Sequence, residues 1–428
     1  MTEPISAIIV GAGHRSMTYA GLADIEPEEL KIVGIAEPDE HRRNMVAEKY
    51  NIPPEHCFRN VDELVKVPKF ADAVINGTMD QIHVETSIPL LKAGYDILLE
   101  KPFAVNEEET RELVTCAKEN GRKIMVCFVL RYADFYREIK KVLLSGEIGD
   151  VINIQMAEHV SYHHLLTSYV RGKWANSNRC HTSMLLAKSS HDIDIMMWLM
   201  DKDNPVRVTS FGSRMQFREE NAPENSGTRC LVDCPIESDC PYSARRIYSD
   251  HPDHWSCYVW DKLEGYEHVS EEGRIEFLKT SPYGICAYKC DNNVVDHQSV
   301  CVEFESGATG THNMIGGSSF SVRTIHIIGT KGEIYGNFES GKFTVSLINP
   351  EPDCGYIQRE VDTNLLSETK EGHGGGDMNL IRDFVHYIRD NEMSVSCTSI
   401  DETVKGHLVV FKADESMAHG GAPQEINL

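Results

Sequence analysis

The chain has 428 residues, a formal net charge of −24, 41% hydrophobic residues and 25% charged residues. This length exceeds the size at which a single core stops growing, so it predicts two domains. The negative charge disfavours binding to nucleic acids or anionic lipid surfaces, and no apolar run is long enough to cross a bilayer. The start of the chain shows no signal-peptide pattern. We therefore expect a soluble, cytoplasmic protein with no nucleic-acid or membrane partner.

Residues 1–128 alternate short β-branched runs with helical patterns, as in a parallel sheet covered by helices on both faces. The predicted strands are Ala7–Val10, Ile32–Ala36, Ala73–Asn76, Ile97–Leu99 and Lys123–Phe128. The predicted helices are Ser16–Leu22, Glu40–Tyr50, Ile82–Ala93 and Glu107–Asn120. The pattern predicts an α/β fold with an N-terminal, doubly wound Rossmann domain.

Residues 129–428 contain longer strand-like runs and fewer helical patterns, which predicts an α+β domain on a large, mostly antiparallel open sheet. The predicted strands are Val151–His159, Val206–Gln216, Gln298–Glu305, Ala308–Met314, Ser321–Gly329, Glu333–Phe338 and Lys342–Ile348. The predicted helices are Leu186–Leu199, Met378–Asn391 and Ile400–His419. Residues 218–296 are polar with weak periodicity, so we expect a long insertion over the sheet.

A glycine-rich turn joins the first predicted strand to the first predicted helix, as dinucleotide binding requires. Gly11 would make the tight turn, Gly13 would admit the pyrophosphate, and Ser16 stands where the motif has a third glycine. The candidate cofactor contacts here are Gly11, Gly13, His14, Arg15 and Ser16. The alternative is a Gly-x-Gly turn without a ligand.

Glu37 ends the second predicted strand, where a carboxylate can accept hydrogen bonds from ribose hydroxyls and repel a 2′-phosphate. This favours NAD over NADP, although His41, Arg42 and Arg43 lie close enough to leave NADP open. The alternative is an acid near Pro38 that only stabilises a helix N-terminus.

Several motifs together resemble the glucose-fructose oxidoreductase, inositol dehydrogenase and rhizopine-catabolism oxidoreductase family. The motifs are Gly77-Thr78, His83, Glu100-Lys101-Pro102, Arg131-Tyr132, Gly146-Glu147-Ile148-Gly149, Ser190-His191-Asp192-Ile193-Asp194, Ile328-Gly329-Thr330-Lys331-Gly332 and His373-Gly374-Gly375-Gly376-Asp377. The resemblance implies further cofactor contacts at Thr78, His83, Glu100, Lys101 and Pro102. It also implies a carbohydrate substrate held by the second domain, and a homodimer or homotetramer formed through the exposed face of the large sheet.

Lys101 and His191 are the predicted catalytic residues. An ammonium at the carboxyl end of a strand could donate to a substrate hydroxyl and stabilise a forming alkoxide, with Pro102 fixing the turn, through a cis bond as the resemblance implies. His191 could accept the hydroxyl proton. Asp194 lies three residues later on the same helix face and could orient the ring or bind substrate. The alternatives are a solvated surface lysine and a polar pair at a helix end.

One position departs from the family pattern. Members that oxidise inositol-like substrates carry an acid four residues before this histidine, and here Ala187 stands there with Lys188 beside it. Lys188 could be a second cation near the reacting oxygen, a ligand for a substrate hydroxyl or a surface residue. Arg131 and His163 are further candidate substrate contacts, and an inter-domain salt bridge is the alternative for Arg131.

Cys230, Cys234 and Cys240 lie close together in the insertion, with more cysteines downstream. They could bind a structural zinc ion or an iron–sulfur cluster, although their spacing matches no standard signature. One disulfide or free thiols are the alternatives.

These residues predict an NAD-dependent dehydrogenase that acts on a secondary hydroxyl of a sugar, polyol or glycoside. Two other functions remain open. The first is an NAD-dependent glycoside-cleaving enzyme that oxidises a hydroxyl transiently so that a neighbouring bond can be eliminated. The second is a sensor that binds NAD and sugar without turnover.

Overall fold

The computed structural model describes residues 3–251, 255–260, 269–351, 354–366 and 371–428. Its strands are β1 Ile5–Val10, β2 Leu30–Ala36, β3 Cys57–Phe58, β4 Ala73–Asn76, β5 Asp96–Leu99, β6 Ile124–Val126, β7 Val151–Ser161, β8 Pro205–Ser213, β9 His297–Phe304, β10 Thr309–Ser318, β11 Val322–Gly329, β12 Gly332–Asn337, β13 Lys342–Ile348, β14 Tyr356–Asp362 and β15 Gln424–Glu425. Its helices are α1 His14–Ala20, α2 Leu22–Ile25, α3 Glu40–Tyr50, α4 Val61–Leu64, α5 His83–Lys92, α6 Glu107–Glu119, α7 Asp134–Ser145, α8 Tyr162–Leu165, α9 Ser177–Cys180, α10 Ser190–Leu199, α11 Cys257–Trp260, α12 Glu271–Thr280, α13 Glu371–Gly374, α14 Gly376–Asp390 and α15 Ile400–Ala418.

The first sheet is parallel, with strand order β3-β2-β1-β4-β5-β6. Ala7 and Ile9 pack into one core cluster, while Ile8 and Val10 pack into another on the opposite face. Burial of both faces explains why the strands are continuous apolar runs. The strand order reverses at β1 and β4, and ligands of such sheets bind outside the carboxyl ends of the strands at this switch point. The predicted Rossmann architecture is confirmed.

The second sheet has strand order β14-β13-β12-β11-β7-β10-β9-β8-β15. Its paired strands run antiparallel except β7 and β10, which are parallel. Helices α7, α10 and α15 bury one face of this sheet in a single apolar cluster. The predicted mostly antiparallel α+β architecture is confirmed.

Helix α14 returns to the first sheet, although it follows the second sheet in the chain. Leu380 and Phe384 are fully buried in the same cluster as Ile9. At the surface, the Arg389 guanidinium donates to Glu29 over 2.7 Å. Helix α15 packs against α10 and β8. Helix α15 also contacts α6 and β6 of the first domain. It therefore joins the two domains, whereas α14 adds to the core of the first.

The insertion at residues 218–296 packs a core of its own within its described part. Tyr248, Val259 and Trp260 are fully buried against Leu166, which lies in a π-helical turn after α8. Tyr258 lies next to His14 of the glycine-rich turn, with ring centroids 5.9 Å apart. The insertion thus reaches the first sheet as well as the second. In the described residues no helix is long and apolar enough to span a membrane.

Candidate active site

The glycine-rich turn lies at the switch point of the first sheet. Gly11 adopts φ +79°, and a Cβ there would lie 3.1 Å from the Thr78 backbone. Ser16 is buried beneath Gly77, where any Cβ on residue 77 would clash with the Ser16 Oγ. A serine therefore replaces the motif's third glycine because the facing residue is itself a glycine. No side chain caps the first turn of α1, which leaves backbone N–H groups for a phosphate, as a dinucleotide requires.

Glu37 connects the end of β2 to this turn. Its Oε2 accepts from the Ala12 N–H over 2.6 Å, and its Oε1 accepts from the Asp39 N–H over 2.9 Å. The Arg43 guanidinium is directed to the Glu37 carbonyl oxygen over 2.6 Å. A buried carboxylate is therefore fixed beside the turn, with the nearby arginine turned to the backbone. This arrangement fits ribose hydroxyls better than a 2′-phosphate.

His83 stabilises the turn that carries Lys101. Its Nδ1 lies 2.7 Å from the Pro102 carbonyl oxygen, and its Nε2 lies 3.1 Å from the Thr78 carbonyl oxygen. The Lys101–Pro102 peptide bond is cis, as the family resemblance implies. Both ring nitrogens of His83 are engaged by the backbone, so this side chain holds two site loops together and does not fit the expected cofactor contact.

Glu100 and Arg15 form a partly buried ion pair next to Lys101. One Glu100 oxygen accepts from Arg15 Nε over 3.0 Å and from the Tyr19 hydroxyl over 2.7 Å, and the other accepts from the Lys101 N–H over 2.9 Å. Burial opposes ionisation, but Arg15 and Lys101 lower the pKa of Glu100 below its ordinary value. The Arg15 and Glu100 side chains were expected to contact the cofactor, and in the structure they instead pair with each other.

Lys101 and His191 come together across the cleft. The Lys101 ammonium donates to the Ala187 carbonyl oxygen over 2.8 Å, in a π-helical turn, Leu185–Ser189, that leads directly into α10. His191 lies one turn later in α10, and its Nδ1 is buried without a hydrogen-bond partner among the described residues. Burial and the nearby Lys101 hold the pKa of His191 well below its ordinary value, and burial also lowers the pKa of Lys101. The site thus combines a cation with a neutral imidazole.

Two residues of the glycine-rich His373 motif complete this cleft. The imidazole rings of His373 and His191 have centroids 6.2 Å apart. Asp377 lies 3.2 Å from His373 Nδ1 and accepts from the Arg15 guanidinium over 2.6 Å. Sequence reasoning noted the motif only as part of a resemblance. The available signal was a histidine followed four residues later by an acid. The two residues belong to separate helices, because Gly374 and Gly375 between them adopt positive φ angles.

Comparison with known proteins identifies the family. Residues 5–128 match the model described as an oxidoreductase family with an NAD-binding Rossmann fold, and residues 140–423 match its C-terminal alpha/beta domain. The chain belongs to the Gfo/Idh/MocA oxidoreductase family. The resemblance drawn from the motifs is therefore confirmed, and the protein is an NAD-dependent oxidoreductase of this family.

Individual proteins are similar to this chain at low identity. YteT of Bacillus subtilis (strain 168), an oxidoreductase by name, is 24% identical over 377 residues, which cover 86% of this chain and 85% of YteT. Inositol 2-dehydrogenase of Corynebacterium glutamicum (strain R) is 24% identical over 200 residues, 46% of this chain and 55% of that enzyme. The structure of levoglucosan dehydrogenase in complex with NADH and levoglucosan superposes with a TM-score of 0.71 at 17% identity over the full length of both chains. At this identity the superposition shows a shared fold.

Arg131 and Asp194 form a closed pair away from this cleft. Arg131 Nε and Nη2 donate to the two Asp194 oxygens over 2.7 and 2.6 Å, and both side chains are 1% exposed. A third guanidinium nitrogen donates to the Cys397 carbonyl oxygen over 3.3 Å. The expectation that Arg131 and Asp194 bind substrate does not fit this burial. Arg131 forms a salt bridge, as the alternative expected, but this bridge lies within the second domain, between its start and α10, and does not join the two domains.

Lys188 belongs to a buried charge network that sequence reasoning missed. Its ammonium lies 2.5 Å from Glu158 of β7, and Arg323 of β11 pairs with both Glu158 and Asp192. Burial and the neighbouring Glu158 raise the pKa of Asp192 to about 8. Lys188 is therefore neither a surface residue nor a free cation. The network fixes the start of α10 beneath His191.

His163 lies in α8, just after the end of β7. Its Nε2 is 3.2 Å from the Ser161 hydroxyl, and the next residue, His164, stacks on Trp255 of the insertion with ring centroids 3.7 Å apart. His163 thus lies just past the end of β7, the central strand that carries Glu158. Its expected substrate contact remains a prediction.

The cysteines of the insertion do not form a metal site in the described part of the chain. Cys230, Cys234 and Cys240 line one cavity together with Arg171 and Cys286, and all of them are free thiols. No group of three His, Cys, Asp or Glu side chains among the described residues could hold a metal ion. We correct the zinc or iron–sulfur expectation accordingly.

Proposed function

We propose that this protein transfers a hydride between NAD and a secondary hydroxyl of a sugar, polyol or glycoside. The observation that carries the proposal is the hydrogen bond from Lys101 Nζ to the Ala187 carbonyl oxygen, one helical turn before His191. It brings an ammonium and a neutral imidazole together beside the glycine-rich turn. The names of two similar proteins, inositol 2-dehydrogenase and levoglucosan dehydrogenase, support a polyhydroxylated substrate.

Each side chain has a separate task in this proposal. The nicotinamide ring, when bound, accepts the hydride. His191 takes the hydroxyl proton, because its lowered pKa keeps the ring neutral and able to accept. Lys101 donates to the same oxygen and stabilises the negative charge that develops there as the proton leaves, before the hydride departs and the carbonyl forms. Glu100, held by Arg15 and Tyr19, fixes the Lys101 backbone.

The outer face of the second sheet supports a homo-oligomer. Apart from Glu303, uncharged residues line it along β7, β9 and β10, including Gln155, Ser299 and Thr311. Ile315 of β10 and Tyr335 of β12 are 40% and 57% exposed there. A broad face with few charges is typical of an interface core. A mass of one chain in light scattering at micromolar concentration would contradict this part of the proposal.

Turnover with a panel of substrates tests the proposed activity. Purified protein is mixed with NAD or NADP and with sugars, inositols and glycosides, and NADH formation is followed by its absorbance. We expect net NADH with at least one polyol, and glycoside cleavage without net NADH would instead favour transient oxidation.

A lysine variant links the activity to the site. Lys101→Met should lower kcat about 100-fold or more while NADH still binds, as measured by fluorescence. Lys141→Met, at a 63% exposed position on α7, is the matched control and should retain full activity. An active Lys101→Met enzyme would contradict the assignment.

A further inference from the structure

His373 lies beside His191 in a backbone conformation that histidine rarely adopts. Its φ is +51°, in the left-handed region, which non-glycine residues occupy mostly where the surrounding structure imposes it. The ring centroid lies 6.2 Å from that of His191, with an interplanar angle of 41°. The chain therefore holds a second imidazole in a fixed place next to the first.

Asp377 determines which nitrogen of His373 faces a ligand. The two Asp377 oxygens lie 3.2 and 3.3 Å from His373 Nδ1, and the Asp377 side chain is 4% exposed and paired with Arg15. An ionised carboxylate only accepts hydrogen bonds, so the proton of a neutral ring lies on Nδ1. Nε2 is then an acceptor. In the described residues it has no hydrogen-bond partner, and the His373 side chain remains 34% exposed.

We propose that His373 Nε2 accepts a hydrogen bond from the hydroxyl next to the one that is oxidised, so that the substrate is a vicinal diol. The inference rests on the proposed function, because it uses the oxidised hydroxyl at His191 as its reference point. Hydrogen bonds of about 2.8 Å from each ring would let two neighbouring hydroxyls fit between imidazoles at this separation. His373 would then be a specificity residue.

Position 187 does not supply the acceptor that a second substrate hydroxyl requires. Residue 187 offers no acidic side chain, and its carbonyl oxygen is already used by Lys101. Glu158 pairs with Lys188 and Arg323, while Asp192 pairs with Arg323 through Oδ1 and its Oδ2 has no hydrogen-bond partner among the described residues. Both acidic side chains are at most 2% exposed, whereas the His373 side chain is 34% exposed. His373 Nε2 is therefore the acceptor of these three that a substrate can reach.

Paired substrates test the inference. Levoglucosan and myo-inositol are each compared with analogues in which the hydroxyl next to the oxidised carbon is replaced by hydrogen. For the wild-type protein we expect kcat/KM to fall at least tenfold for the deoxy compound. In His373→Ala this preference should shrink to about twofold or less, because the diol loses most of its advantage and the deoxy compound loses little.

Control variants separate this role from a structural one. Asp377→Asn should weaken the preference while His373 is still present, because an amide does not require the same tautomer. NADH binding by fluorescence should be unchanged in His373→Ala, and His373→Gln, which keeps an acceptor, should recover part of the preference.

A wild-type protein that oxidises no member of the panel contradicts the proposed function itself. A wild-type preference that persists in His373→Ala overturns the inference alone.

Discussion

Arg15 and Asp377 are 362 residues apart in the chain, and their side chains meet at 2.6 Å. The same guanidinium also binds Glu100, which precedes Lys101. One arginine in the first turn of α1 therefore sets the position of the loop that carries Lys101 and, through Asp377, of His373. Hydrogen bonds of Arg15 therefore link the glycine-rich turn to both sides of the cleft.

The charge on Asp377 makes this connection dependent on pH. Burial opposes ionisation, but His373 and Arg15 lower the pKa of Asp377 below the ordinary carboxyl value. A lowered pKa in the folded state stabilises the fold above the unfolded-state pKa, and this contribution is lost as pH falls towards the folded-state pKa. We expect Asp377→Asn to be about 1–3 kcal/mol less stable at pH 7, with a smaller difference at pH 3 to 4. Urea unfolding at both pH values measures this, and an equal difference at both would contradict it.

The pH dependence of turnover should reflect the two central groups. The pKa of His191 is lowered by burial and by Lys101, so its neutral form persists below the ordinary histidine value of about 6.5. The pKa of Lys101 is also lowered by burial, so its protonated form is lost below the ordinary lysine value of about 10.4. We expect both limbs of the kcat/KM profile to lie on the acid side of these values. Removal of the acid limb in His191→Gln, measured on the residual activity, would assign that limb to the imidazole.

Local sequence patterns predicted the parts of the fold that depend on neighbouring residues. Helix α3 has the predicted bounds, and the alternation of short β-branched runs with helical patterns predicted the parallel sheet. Helix α7 and strand β14 were missed, and the parallel pairing of β7 with β10 joins segments about 150 residues apart, which no local pattern encodes.

The candidate site likewise contains residues that a local motif reveals and residues whose roles depend on distant parts of the chain. Lys101 and His191 could be found because each follows a recognisable motif. The roles of Arg131, Lys188 and Arg15 could not be found in this way. Whether a charged side chain binds a ligand or stabilises the fold depends on which side chain it pairs with. Those partners lie 63, 30 and 85 residues away in the chain, and only the tertiary structure places them in contact.

Glu37 should determine the choice of coenzyme. Its carboxylate is fixed by the Ala12 and Asp39 N–H groups at the end of β2, where it would repel a 2′-phosphate. We expect Glu37→Ser to shift the ratio of kcat/KM for NAD and NADP towards NADP by about tenfold or more. The exposed Glu40→Ser variant, three residues later at the start of α3, is the matched control. An unchanged ratio in Glu37→Ser would show that the coenzyme is selected elsewhere.

Variants of Arg131 and Asp194 can distinguish a structural role of this ion pair from a contact with substrate. Removing one partner of a fully buried ion pair leaves an unpaired charge, so Arg131→Met should lower the free energy of unfolding by about 3–5 kcal/mol. Replacing both partners by apolar side chains removes that unpaired charge, and Arg131→Met with Asp194→Leu should therefore recover most of the loss. Urea unfolding measures both variants. Because the pair does not face the cleft, the double variant should also keep its KM for the substrate within about twofold. A stable double variant with a much higher KM would show instead that Arg131 and Asp194 contribute to substrate binding.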